Sequence, residues 1–311
     1  MDIYLPIAEM PVGVLLVLAM GVGVGLISGL FGVGGGFLMT PLLIFAGIPP
    51  AVAVASVTPQ IVASSASGAL AYFRRRQVDL KLAGILTLSG SFGAVAGAQL
   101  FALLGARGQL SVVIAISYTL FLATIGALMV NESVRAVLRN RAARKRGATP
   151  QPTRRGGEHG WVHRLPLKVR FRRSRLYISI LPVVGLGVSI SFMGTLLGIG
   201  GGFIMLPALI YLLKVPTSVV VGTSLLQIVG VMSMATIMHS VASQTVDVLL
   251  AFILMIGGVL GAQIGASLGQ SLRGEQLRVL LGLLVLAVGI RFALDLIVEP
   301  SNLYSVTVIG G

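Results

Sequence analysis

An eleven-residue phrase occurs twice in this chain, 166 residues apart. Phe31-Gly32-Val33-Gly34-Gly35-Gly36-Phe37-Leu38-Met39-Thr40-Pro41 returns as Leu197-Gly198-Ile199-Gly200-Gly201-Gly202-Phe203-Ile204-Met205-Leu206-Pro207. Three consecutive glycines suit a helix interior poorly, because each gives up more backbone freedom on ordering than any other residue. Inside a membrane, a helix can break only where its freed N–H and C=O groups find other partners. Broken helices at matching points of two repeats point to the binding site of a transporter.

Composition puts the phrase in lipid. The 311 residues are 56% hydrophobic and 10% charged, where a soluble domain carries about 25% charged residues. Apolar runs of about 20 residues, such as Val12 to Phe31, Ala83 to Leu104 and Leu277 to Leu296, predict a polytopic membrane protein. Asp2 and Glu9 precede the first run, with no Lys or Arg, so it reads as a retained span and not a signal peptide. The absence of cysteine excludes disulfides, thiolate metal sites and cysteine catalysis. The net charge of +14 is concentrated: fourteen of twenty-three Lys and Arg lie between Asn131 and Arg175. With no nucleic-acid-binding motif beside it, that stretch is an orientation signal and a contact for anionic lipid, and nucleic acid is not an expected partner.

The repeat extends beyond the glycines. Ser56-Val57-Thr58-Pro59-Gln60 aligns with Thr223-Ser224-Leu225-Leu226-Gln227, Val78-Asp79 with Val246-Asp247, and Gly93-Ala94-Val95-Ala96-Gly97-Ala98 with Gly261-Ala262-Gln263-Ile264-Gly265-Ala266. A duplicated unit joined by a basic linker follows: repeats at 1–130 and 176–298, a linker at 131–175 and a tail at 299–311. Each repeat parses into five helical segments, at 12–31, 36–47, 50–72, 80–104 and 109–130, then 177–196, 201–213, 217–241, 247–270 and 276–297. The second segment of each is too short to span the roughly 30 Å core as a helix of 1.5 Å rise per residue.

Charge orients the units. Arg74, Arg75, Arg76 and Lys81 flank the loop after the third segment of the first repeat, while Ser240 to Val246 contains no Lys or Arg. At the next loop the bias reverses, with Arg107 alone against Arg273 and Arg278. With the linker cytoplasmic, five crossings per unit satisfy the positive-inside rule and give inverted repeats with both termini outside. The expected fold is all-α: about ten transmembrane helices in two inverted five-helix repeats, with short or broken helices after glycine turns.

The candidate site follows. Helices starting after Gly34, Gly35 and Gly36, and after Gly200, Gly201 and Gly202, would offer N–H groups and positive dipole ends to a small anion. Close helix packing is the competing reading of those glycines. Gln60 and Gln227, with Thr58, Thr223 and Ser224 nearby, carry donors that bind oxyanions without fixed charge. Interhelical hydrogen bonding is the competing reading there. Gly93, Gly97, Gly261 and Gly265 fit a small-xxx-small contact, and Asp79 and Asp247 read as N-caps. His239 reads as an interfacial histidine, with a proton role as its alternative. No P-loop, metal cluster, catalytic pair or cofactor motif is present, so no enzyme activity, metal or cofactor is expected.

The two glycine phrases, each followed by Pro and then by a Thr/Ser segment, resemble the TauE/SafE sulfite-exporter family over nearly all of the chain outside the linker and tail. The resemblance implies a bacterial inner-membrane permease for sulfite, sulfoacetate or another small organic or sulfur oxyanion. The residues alone reach a small-anion transporter working by alternating access. An anion channel, or a membrane-embedded assembly factor docking through the linker, are the alternatives, and a homodimer is left open.

Overall fold

The computed structural model describes residues 2–31, 34–124, 166–171, 173–174, 176–268 and 290. Two compact units make up the chain, Met1–Ser111 with Pro152–Leu272, and Val112–Gln151 with Arg273–Gly311.

The first unit opens on an element that the sequence reading ran into a helix. Strands β1 (Asp2–Leu5) and β2 (Met10–Gly13) pair antiparallel, and α1 (Val14–Phe31) begins only after them. A second hairpin, β3 (Lys168–Phe171) with β4 (Leu176–Ser179), likewise precedes the matching helix α6 (Ile180–Leu197). The expected helix starts at 12 and 177 are therefore strand, and residues 168–171, expected in the linker, are paired backbone. Leu5 and Val12 face inward from the first hairpin, and Phe171 and Ile178, 166 residues on, from the second.

Between these points the helices fall where the apolar runs and caps put them. They are α2 (Gly36–Phe45), α3 (Pro50–Arg74), α4 (Leu80–Ala106), α7 (Gly202–Pro207), α8 (Thr217–Met238) and α9 (Val248–Leu268). Pro50 occupies the first turn of α3, where its missing N–H costs nothing. Asp79 caps α4 by accepting from Leu82 N–H, and Asp247 caps α9 by accepting from Leu249 and Leu250 N–H. The expected single helix over 201–213 is shorter: after Pro207 the chain continues as a π-helical turn, Ala208–Leu212. A second π-helical turn, His239–Ser243, closes α8. In the second unit the described helix is the continuation of α5 (Leu110–Thr124), which buries Ile114, Tyr118 and Leu122 at four-residue spacing and presents Val112, Ile116 and Leu120. The expected segment at 276–297 and the linker centre lie outside the described residues.

Four described helices are long and apolar enough to cross a membrane: Leu80–Ala106, Ile180–Leu197, Val219–Ser243 and Val248–Leu268. Helix α9 shows why lipid is the solvent. Phe252, Ile256, Leu260, Ile264 and Leu268 form one exposed apolar stripe, while Gly257, Gly258, Gly261, Ala262 and Gly265 are buried on the other face. Such a stripe suits a hydrocarbon surround, and small residues let helix backbones approach. The glycine face packs on α1, with Gly261 against Val22 and Gly265 against Leu26. The matched pair α4 and α6 does the same, and a Cβ added at Gly97 would stand 2.7 Å from the Phe192 carbonyl oxygen. The small-xxx-small expectation therefore holds at Gly93, Gly97, Gly261 and Gly265.

The matched helices exchange partners throughout this unit. α1 packs on α9 as α6 packs on α4, α3 on α9 as α8 on α4, and α3 packs on α8. The same reciprocity reaches single bonds. Asp79 N–H donates to Thr223 Oγ1 (3.0 Å), and Asp247 N–H donates to Ser56 Oγ (2.8 Å). The hairpins complete it: Ser174, in the second hairpin's turn, donates from N–H and Oγ to Asp79 Oδ2 (3.0 and 2.8 Å), while Ile7 N–H, in the first, donates to Asp247 Oδ2 (3.0 Å).

Candidate functional site

The glycine turns meet at the point where the two halves cross. Gly34, Gly35, Gly200 and Gly201 have φ of 86°, 73°, 79° and 71°, the left-handed region that side chains resist. Gly35 and Gly201 are the N-caps of α2 and α7. The rings that follow, Phe37 and Phe203, stack at 4.6 Å between centroids. Thr40 Oγ1 donates to the Gly198 carbonyl (3.2 Å), and a Cβ at Gly36 would stand 2.6 Å from that oxygen. Gly36 N–H turns back onto the Gly34 carbonyl (3.0 Å), and Gly202 opens α7. Gly32 and Val33 lie outside the described residues.

The isoleucines that follow the glutamines line the turns, Ile61 against both and Ile228 against the first. Positions for a Cβ at Gly200 and at Gly34 lie 3.0 Å from Ile61 Cγ2 and 3.5 Å from Ile228 Cδ1. The sequence reading missed Ser65, whose Oγ lies 3.3 Å from the Cβ position of Gly34.

Gln60 and Gln227 are buried, at 0% and 1% exposure, on faces pointing to different neighbours. Gln60 lies against Gly258, where an added Cβ would be 2.6 Å from Nε2. Gln227 lies near Gly90, at 3.4 Å from the Cβ position, and its Nε2 donates to Ser191 Oγ (3.2 Å). Thus the structure brings the glycine turns together, and sets each glutamine beside a glycine on the other half's α9 or α4.

The hydroxyls divide. Pro59 cannot donate to the Ala55 carbonyl, and Thr58 Oγ1 takes that acceptor instead (2.8 Å) while accepting from Thr236 Oγ1 (3.0 Å). Thr223 Oγ1 donates to Val219 and receives the Asp79 N–H described above. Ser224 Oγ donates to the Val221 carbonyl (3.0 Å). In contrast, both Gln60 amide atoms, Gln227 Oε1, Ser65 Oγ, Thr195 Oγ1 and His239 Nδ1 are buried without a hydrogen-bond partner among the described residues. A buried polar group left unpaired costs about 1–3 kcal/mol, so such groups gather where something else binds. His239, near the end of its span, is wholly buried, with Nε2 3.2 Å from the Thr195 carbonyl and its ring edge-on to Phe101 at 4.5 Å. The described residues hold no His, Cys, Asp or Glu cluster fit for a metal.

Comparison with known proteins decides what carries this geometry. The model of the family described as "Sulfite exporter TauE/SafE" matches residues 17–292. The chain belongs to the TauE/SafE family. A "Probable membrane transporter protein" of Xylella fastidiosa (strain 9a5c) is 28% identical over 88% of the TauE/SafE chain and 94% of its own length. "Probable membrane transporter protein YunE" of Bacillus subtilis (strain 168) is 26% identical over 88% and 95%. "Sulfite exporter TauE/SafE family protein 3" of Arabidopsis thaliana is 33% identical over 27% of this chain and 19% of its own. No solved structure gives a significant match. The TauE/SafE chain is a multi-pass membrane transporter, and its glycine turns lie within the matched region.

Proposed function

We propose that this chain exports a small oxyanion, such as sulfite, sulfoacetate or another organosulfonate, across the bacterial inner membrane by alternating access. The observation that carries the reading is Gln60, whose amide is buried against Gly258 of α9 with no hydrogen-bond partner among the described residues at either end, one residue before the Ile61 that touches both glycine turns. An amide with free donor and acceptor capacity inside lipid fits a ligand that arrives dehydrated. Gln227, with its free Oε1, is the matched group, and Ser65 adds a hydroxyl at the turn. Gly34 to Gly36 and Gly200 to Gly202 would admit the anion to backbone; Thr58 and Thr223 tie their helices to Thr236 and Asp79, and with Ser224 would complete the shell around the anion.

The driving arrangement proposed is two inverted five-helix repeats, supported by the exchange of partners between matched helices and by the reversal of loop charge. Linker and basic loops would face the cytoplasm, where arginines can also meet anionic lipid. An inside-negative potential favours anion efflux by about 2.3 kcal/mol per charge per 100 mV.

Liposome flux of sulfite, sulfoacetate, taurine, thiosulfate and carboxylate analogues tests the reading. Saturable flux of at least one sulfur oxyanion, reduced in Gln60→Ala and Gln227→Ala, is the expected result. Flux of none of them above empty liposomes overturns it, and large ionic currents in place of saturable flux would make the protein a channel.

A further inference from the structure

The two halves are matched in sequence but not filled alike at one pair of positions. Continuing the offset of 167 residues that joins Gln60 to Gln227 sets Tyr72 opposite His239. On the second half, the space beside α8 is closed: His239 is wholly buried against Phe101 and the Thr195 carbonyl. On the first half, the equivalent space between the ends of α1, α3 and α9 is open. It is a cavity of about 310 Å³, with Tyr72, Arg75, Ser67, Gln263 and Ser267 supplying its polar lining. Gly29 stands in it where the counterpart space has Thr195, and Ala262 and Ala266 of α9 stand where that space has Ala94 and Ala98 of α4. The residue aligned with Phe101 in sequence is Gly269, which has no ring to offer.

We infer that this cavity is a second anion site, an antechamber in which Arg75 and the surrounding hydroxyl and amide groups hold a small oxyanion at the mouth on the basic-loop side. Three observations converge. Its volume falls at the lower end of the range for small-ligand pockets. Its lining offers a guanidinium, which binds oxyanions through two parallel N–H donors, together with hydroxyl and amide groups, and among the described residues no carboxylate. Arg76 lies on the loop beyond it, flanked by Arg74 at the end of α3 and Lys81 at the start of α4, and the second hairpin lies over that loop, with Arg173 donating to the Arg76 carbonyl and Lys81 to the Arg170 carbonyl. The one described carboxylate of that region, Asp79, is buried and spent on Ser174 and Leu82. The field at the mouth is therefore positive and draws anions inward. The sealed counterpart at His239 makes this a one-sided device: anion is admitted at the Arg75 end while the other end is shut. The ligand class rests on the transport reading above; the cavity and its arginine do not.

Arginine footprinting tests the site without relying on flux. The full-length protein in nanodiscs of zwitterionic lipid is treated with phenylglyoxal, with and without sulfoacetate, and modification at each arginine is read by mass spectrometry. Sulfoacetate should protect Arg75 and leave Arg74 and Arg76 reactive. In calorimetry, Arg75→Gln should weaken sulfoacetate binding about two- to five-fold, the upper part of the range for a solvent-exposed charge contact, with Arg75→Lys recovering part of it. Equal modification of Arg75 with and without sulfoacetate overturns the site even if flux is present. Protection that appears only when phosphatidylglycerol is added, and not with sulfoacetate, overturns it in favour of a lipid headgroup. Protection without any flux leaves the site standing and sinks the transport reading alone.

Discussion

Replacing Gln60 by methionine separates a ligand-binding glutamine from a packing one, because the two roles predict opposite signs. Methionine fills nearly the same volume with a flexible apolar chain, so cavity and strain effects are small. Both Gln60 amide atoms are buried without a hydrogen-bond partner among the described residues. Each such group costs about 1–3 kcal/mol, and relieving part of both should stabilise the ligand-free protein by about 1–3 kcal/mol. Gln227→Met should gain less, because it removes the Nε2 bond to Ser191 and orphans that hydroxyl while relieving one oxygen. Binding moves the other way. Loss of a hydrogen bond to a charged ligand costs about 1.5–3 kcal/mol, or roughly 10- to 150-fold in affinity. The assay is thermal melting in detergent with and without sulfoacetate, beside calorimetric titration. A Gln60→Met protein that melts lower than wild type and binds sulfoacetate as well refutes the reasoning, since it would show the amide paired inside the protein and idle toward the anion.

Other outcomes follow from the same geometry. Asp79→Ala removes three hydrogen bonds to a buried carboxylate, from Leu82 N–H and from Ser174 N–H and Oγ; melting should show a loss of about 2–4 kcal/mol with sulfoacetate affinity unchanged, and Asp247→Ala should match it. Gly35→Val forces a branched side chain into φ of 73° with Ser28 Cβ 3.1 Å from its Cβ, costing about 1–2 kcal/mol for the backbone and about 1–3 kcal/mol for overpacking, and flux should fall further than melting explains. Single cysteines at Ser243 and Thr149 of this cysteine-free chain should label from opposite sides of the membrane; labelling from one side would remove the inverted arrangement.

How much of this was legible in the sequence varies with the range of the interaction. The glycine turns were, because only glycine tolerates the φ that Gly34, Gly35, Gly200 and Gly201 adopt, and a repeated triplet has few other uses. Asp79 and Asp247 were, since capping is local. The hairpins were not. Asp2–Leu5 and Lys168–Phe171 share no residue, and Val12 and Tyr177 continue the apolar run of the helix behind them, so strand pairing hid inside a hydropathy signal. The partners of Thr58 were not legible, because its bond to the Ala55 carbonyl depends on Pro59 and its partner Thr236 is 178 residues away. Ser65 and Ser191 carried no periodic mark, and only the crossing of the halves shows what they face.

Counterflow in proteoliposomes tests the central claim, that matched half-sites carry a small oxyanion by alternating access. Vesicles holding the full chain are loaded with unlabelled sulfoacetate or sulfite and diluted into the same labelled anion. The account predicts transient accumulation of label that depends on the internal load and is lost in the Gln60→Ala, Gln227→Ala double variant. Label entry that ignores the internal load, or that survives the loss of both glutamines, contradicts it.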